Sequence, residues 1–185
     1  MLSKDNAVLI IIDFQEKLMP YIEEYNKILE NACKIIRAAK IFGLPILITK
    51  QRKLGEIVKE IKDVIGNEEV IEKITFSCYK NKRFAEKLDR IGRKQCIIIG
   101  IEAHICVLQT SIDIKKAGYE VHVAVDCTGS RKKYEKEIAL KRMLQHGIFL
   151  TTAETAIYEM LVAADAKEFK EIPVSYTHLT LPTKA

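Results

Sequence analysis

An open α/β sheet with helices on both faces is the fold class the sequence predicts, and three observations carry it. Apolar β-rich runs alternate with longer amphipathic segments along the chain. The first run, Ala7–Ile12, is apolar at every position, as a parallel strand covered on both faces requires. Three helical segments end on a glycine, Gly43, Gly118 and Gly147, and each hands over to another strand-like run. Strands joined by helical crossovers lie parallel and right-handed, which disfavours all-α and all-β alternatives.

The elements follow in order. Residues 25–42 place Ile28, Ala32, Ile35, Ile36 and Ala39 at helical spacing, and Gly43 with Pro45 beyond it stops the helix. Pro45–Thr49 is the second strand, residues 50–68 read as a loop, and Val70–Ile71 is a short third strand. A helix over 81–91 leads to a strand over Gln95–Ile99. A helix over 103–117, a strand over 119–125, a helix over 132–146 and a strand over Ile148–Thr151 repeat the unit. Residues 153–164 make the last helix. The expected architecture is a Rossmann-like open parallel sheet.

Composition limits the rest. One domain over residues 1–173 is long enough to bury a core. Residues 174–185 carry no charge before Lys184, in a chain that is 30% charged, and resemble vector or adaptor read-through. They are excluded from functional reasoning, and His178 receives no role. Met1–Asp5 lacks the order of a signal peptide, and no apolar run approaches the roughly 20 residues of a membrane span. The expectation is a cytoplasmic protein that does not engage a membrane.

Five cysteines without a CxxC pair suggest neither a disulfide framework nor a zinc site, and Cys33, Cys78, Cys96 and Cys127 read as small buried hydrophobes. The 30 basic residues outnumber the 25 acidic ones, but they are dispersed, which fits solvated helix faces better than a nucleic-acid patch. No GxGxxG or GxxxxGK[ST] loop is present, so the strand order implies no nucleotide site.

Three residues at strand ends could carry chemistry. In an open α/β sheet, ligands collect outside the carboxyl ends of the strands. Asp13 closes the first strand, Lys73 follows the third, and Cys106 lies about one turn into the helical segment after the fourth. A helix start and a nearby Lys73 ammonium are expected to lower the Cys106 pKa from about 8.5 and populate the thiolate. Asp13 serves as general base, and the N–H groups of Glu102 and Cys106 form an oxyanion hole beside a sharp turn after Gly100. Each residue also has a structural reading: a core thiol, a strand-end cap, a solvated lysine. Their coincidence at strand ends is what favours chemistry.

The motifs Ala7–Gln15, Lys73–Tyr79, Gly100–Thr110 and Gly118–Asp126 resemble the successive motifs of the isochorismatase-like cysteine hydrolases, in order, through residues 6–172. The resemblance implies an Asp13–Lys73–Cys106 triad, thioester chemistry on amides or related C–N bonds, and a non-proline cis peptide preceding Glu102. Thr49–Gly55, Glu102–His104 and Thr128–Arg131 resemble a subgroup whose substrates are mostly unassigned. Nicotinamidases carry an aspartate and paired histidines after the second strand to hold a metal. Here Gln51 and Arg52 stand there, and no histidine precedes His104, so neither metal nor cofactor is expected. Isochorismatases proper act on a vinyl ether and are expected to lack the nucleophilic cysteine, so Cys106 points away from that reaction.

Phe14, Gln51, Phe76, Tyr79 and His104 are candidate substrate contacts, with core packing or local capping as the alternatives, while His122 and His146 read as structural. The expected protein is a homo-oligomeric, cofactor-independent cysteine hydrolase of a small amide-like metabolite with no nucleic-acid partner. Pocket shape is left to loops 14–25, 50–68 and 128–134. Two rivals are a nicotinamidase-type amidase with an altered metal region and a catalytically silent oligomeric scaffold.

Overall fold

The computed structural model describes residues 1–172, so the segment 174–185 lies outside the described residues. Six strands, Ala7–Ile12 (β1), Ile46–Gln51 (β2), Val70–Lys73 (β3), Gln95–Ile101 (β4), Glu120–Gly129 (β5) and Phe149–Thr151 (β6), form one parallel sheet in the order β3-β2-β1-β4-β5-β6. The order reverses between β1 and β4, and the space outside their carboxyl ends is where such a sheet collects ligands. The Rossmann-like expectation is met.

Every residue of β1 is fully buried, because both of its faces are covered. Ala7, Leu9 and Ile11 pack with Tyr25–Ile41 (α1), Lys59–Ile65 (α2) and Ala153–Leu161 (α6). Val8, Ile10 and Ile12 pack on the other face with Lys82–Ile91 (α3), Leu108–Lys116 (α4) and Lys133–Gln145 (α5). The two-residue period of a strand thus divides one apolar run between two cores. At roughly 25 cal/mol per Å² of apolar surface, each buried isoleucine of β1 contributes about 1.5–3 kcal/mol.

Four local expectations need correction. The 50–68 segment contains α2, a short charged helix that buries only Ile61 and Ile65, four residues apart. β5 runs to Gly129 rather than 125, because its polar Asp126 and Thr128 are accommodated at the sheet's carboxyl end. The helix expected over 103–117 begins as a π-helical turn, Ala103–Val107, in which Val107 N–H donates to the carbonyl of Glu102 five residues back; α4 follows only from Leu108. β4 does not end at Ile99 but continues through Gly100 to Ile101. Gly100 serves close approach instead: at φ +146°, a Cβ there would lie 2.3 Å from the carbonyl oxygen of Ile12 on β1.

Among the described residues, no helix is long and apolar enough to cross a membrane.

Candidate active site

The three strand-end residues meet. Asp13 leaves β1 at φ +53°, a conformation that aspartate tolerates better than most side chains, and it is fully buried. Ile12 pairs with Thr49 in the β1–β2 register, so the Thr49 hydroxyl reaches Asp13 Oδ1 at 2.9 Å. On the outer pair, Gln51 lies opposite Lys73, which is the last residue of β3. Lys73 Nζ donates to Asp13 Oδ2 at 2.7 Å, to Gln51 Oε1 at 2.6 Å and to the carbonyl of Phe76 at 3.2 Å. It also lies 3.7 Å from Cys106 Sγ. The lysine and aspartate side chains are 0% and 1% exposed, so this ion pair is held out of water.

A buried ion pair must be compensated on all sides to persist. Lys73 has three donors and four neighbours that accept or carry partial negative charge, while Thr49 occupies the second oxygen of Asp13. Burial alone lowers the ammonium's pKa, but Asp13, Cys78 and Cys106 together outweigh it, and the net effect raises it. Lys73 therefore stays charged across the neutral range.

The thiol behaves differently from the sequence expectation. Burial, and then the Asp13 charge, push the Cys106 thiol well above its ordinary value, and the Lys73 ammonium recovers only part of this. A π turn surrounded by apolar groups, with Ala103 and Val107 fully buried, desolvates the sulfur more strongly than the turn and the lysine stabilise a thiolate. The resting group is a neutral thiol beside a carboxylate, not a preformed thiolate. The other thiols are also held protonated, Cys78 at about 11 and Cys96 at about 12, chiefly by burial.

The peptide bond between Ile101 and Glu102 is cis, as the resemblance implied. The Glu102 carboxylate is 4% exposed and is engaged by Arg131. It accepts from the backbone N–H of Arg131 at 3.0 Å, and Arg131 Nε lies 3.1 Å from both of its oxygens. His104 Nδ1 is 2.9 Å from the Ser130 hydroxyl. These bonds tie the turn that carries Cys106 to the end of β5.

The five candidate contact residues are dispersed. Gln51 is bound to Lys73 and, through Nε2, to the carbonyl of Ile74. Phe14 is fully buried in the α1 core, Tyr79 packs against the other core, and Phe76 is exposed. His104 lines a cleft of about 340 Å³ with Tyr21, Arg131, Lys132 and Glu135. Sequence reasoning did not single out Thr49, whose signal was a polar residue near the carboxyl end of an apolar strand. Nor did it single out Gln15, whose amide bonds the carbonyls of Gln51 and Gly55 and fixes the end of β2. Among the described residues, no three His, Cys, Asp or Glu side chains are grouped to hold a metal ion.

Comparison with known proteins agrees with this architecture. The isochorismatase domain model matches residues 7–155. Isochorismatase domain-containing protein 1 of Danio rerio is 31% identical over 173 residues, covering 92% of this chain but only 61% of its own length. The structure of MAR1 ribonuclease from Caenorhabditis elegans superposes with a TM-score of 0.88 at 31% identity, covering 100% of this chain and 98% of that one. The YcaC gene product of Escherichia coli, an octameric hydrolase of unknown specificity, superposes with a TM-score of 0.84 at 25% identity, covering 88% and 83%. A domain match spanning most of the chain, together with a parallel sheet of the same layout in these structures, places the protein in the isochorismatase family of hydrolases.

Proposed function

We propose that the protein hydrolyses an amide-like C–N bond of a small metabolite through a thioester on Cys106. The observation that carries this reading is the buried contact set in which one ammonium, Lys73, lies 2.7 Å from a carboxylate and 3.7 Å from a thiol. The Asp13 carboxylate takes the proton of the Cys106 thiol as sulfur attacks the carbonyl carbon, so the thiolate exists only as it reacts. The N–H groups of Glu102 and Cys106 receive the developing oxyanion. Asp13 returns the proton to the departing nitrogen, the C–N bond breaks, and an acyl thioester remains with a free amine. Water then attacks the thioester, giving its proton to Asp13. The thiol departs as the carboxylic acid forms and regains that proton. Lys73 keeps its own protons throughout and stabilises whichever neighbour is anionic.

Rapid acid quench after incubation with an amide library, followed by mass spectrometry, should find an acyl adduct on Cys106 whose mass identifies the acyl half. An adduct elsewhere, or none with any amide that is turned over, defeats the reading. Activity is expected to survive exhaustive chelation. Loss with EDTA and recovery with Zn²⁺ would favour a nicotinamidase-type enzyme instead. The ribonuclease description of the C. elegans protein offers a second chemistry, and RNA cleavage that persists in Cys106→Ser would favour it. We further infer a homo-oligomer, as described for YcaC, with Tyr134 and Ile138 exposed one turn apart on α5 as a candidate contact. Light scattering showing a monomer at micromolar concentration would exclude it.

A further inference from the structure

Two thiols of the same core are buried in different company. Cys78 and Cys96 are both fully buried on the α3–α4–α5 side of the sheet. Among the described residues the Cys96 side chain has no hydrogen-bond partner, which suits a thiol that acts as a small hydrophobe. Cys78 is bonded on two sides. Its Sγ lies 3.5 Å from the Thr49 hydroxyl, and its N–H donates to the Thr110 hydroxyl at 2.9 Å.

The direction of the sulfur contact follows from its neighbours. An ionised carboxylate only accepts, so the single proton of the Thr49 hydroxyl goes to Asp13 Oδ1 at 2.9 Å. No proton is left on Thr49 for sulfur, and the Cys78 S–H is therefore the donor between them. The result is a one-way chain from Cys78 through Thr49 to Asp13, and all three residues are fully buried. A hydroxyl that accepts one bond donates the next more strongly. With Lys73 on Oδ2, both carboxylate oxygens are held and the group is not free to turn.

Cys78 also stands where the parts of the triad converge. It lies two residues after Phe76, whose carbonyl accepts from Lys73. Thr110, which receives its N–H, belongs to α4, the helix that continues the Cys106 turn. An apolar residue of similar size would fill the space but would leave the Thr49 hydroxyl without its donor.

We propose that Cys78 is a positioning residue: through the Thr49 hydroxyl it holds the Asp13 carboxylate in the orientation that takes the proton of Cys106. The inference rests on the reading of Asp13 as base and Cys106 as nucleophile, and it adds a second thiol that forms no bond with substrate.

The test works before a substrate is identified. Cys106 in the full chain is alkylated with iodoacetamide at mildly alkaline pH, and the modified residue is located by mass spectrometry. Cys78→Ala should slow labelling about threefold, the size of one neutral hydrogen bond, and Cys78→Ser, which restores a donor, should recover the rate to within about twofold. Thr49→Val should slow it about tenfold or more, because a bond to a charged group is lost. Adding Cys78→Ala to Thr49→Val should cause no further fall, since Cys78 acts through Thr49. Cys96→Ala makes the same cavity-forming change in the same core and should leave the rate unaltered. On any substrate found, kcat should fall in Cys78→Ala while KM holds. In the infrared spectrum the Cys78 S–H stretch, identified as the band lost in Cys78→Ser, should move to higher frequency in Thr49→Val. Equal slowing by Cys78→Ala in both backgrounds, equal slowing by Cys96→Ala, or an S–H band that stays in place overturns the chain while leaving the nucleophile intact. Failure of Cys106 to label in the unmodified protein overturns the nucleophile itself. The Cys78 and Thr49 series decide independently, so one misfolded variant leaves the proposal open to refutation by the other.

Discussion

The two ends of the sheet both bury polar side chains, and they bury them in opposite ways. At the amino end, Gln95 accepts from Ser3 N–H and donates from Nε2 to the carbonyl of Met1 and to Glu120, while Glu120 pairs with His122 at 2.7 Å. Arg93 closes the same end by donating to the carbonyls of Lys4 and Ala7. This network joins an amide, an arginine, a Glu–His pair and backbone groups, and it holds no thiol or other nucleophile. At the carboxyl end, an ion pair is stripped of water and a thiol is held against it, protonated but next to the group that can take its proton. Burial of polar atoms is common to both ends, so it does not mark a site. A thiol held against a buried ion pair sets the carboxyl end apart, and the proposed function rests on it.

Substitutions should separate the two ends. Asp13→Asn is expected to lower turnover by about 10²–10⁴, measured as steady-state rate on any substrate found, because an amide cannot take the proton. The same change leaves the Lys73 ammonium buried without its counter-charge, so stability should fall by about 3–5 kcal/mol in denaturant unfolding, not stay near the parent value. Adding Lys73→Met should recover part of that stability and none of the rate. A single variant that is as stable as the parent would show that water enters the carboxyl end. At the amino end, Gln95→Ala should cost about 1–3 kcal/mol through the partners it leaves unpaired, with turnover unchanged.

Two smaller effects concern protons. Because the Cys106 thiol is raised, its alkylation by neutral iodoacetamide should climb through the neutral range without a plateau below about pH 9. A plateau near neutrality would restore the preformed thiolate that position in the turn suggested. Glu120 is held below its ordinary value, first by the hydrogen bond from His122. A lowered acid stabilises the fold above its unfolded pKa and loses that contribution as pH falls through the folded one. The stability gap between the parent and His122→Phe should therefore be present above about pH 4.5 and shrink below it. Glu120 is more than a third exposed, which makes this the weakest of the effects.

What the sequence reveals and what it conceals divide along similar lines. β1, α1 and the helix-ending glycines announce themselves through local periodicity, and Asp13, Lys73 and Cys106 through their positions at strand ends. α2 was hidden because KEIKDVI buries only two side chains and its start has no side-chain cap. The π turn was hidden because a one-residue change of register leaves no mark in apolar spacing. The sign of the Cys106 shift was misjudged because a helix start and a lysine are visible in a sequence, whereas the exclusion of water is a property of two packed layers. The Glu102–Arg131 bond joins segments from two different strand ends, and only the β4–β5 pairing brings them together.

The close approach at Gly100 has a consequence for how far this fold can drift. In the mechanism proposed above, β1 brings the base and β4 the nucleophile, and where the two strands touch there is no space for a single methyl group. Any other residue at position 100 would wedge the two strands apart and lengthen the path from carboxylate to sulfur without touching either. The missing side chain acts as a gauge block: chemistry at Cys106 is calibrated by an atom that is not there, and a survey of variants at position 100 would measure how much slack the reaction tolerates.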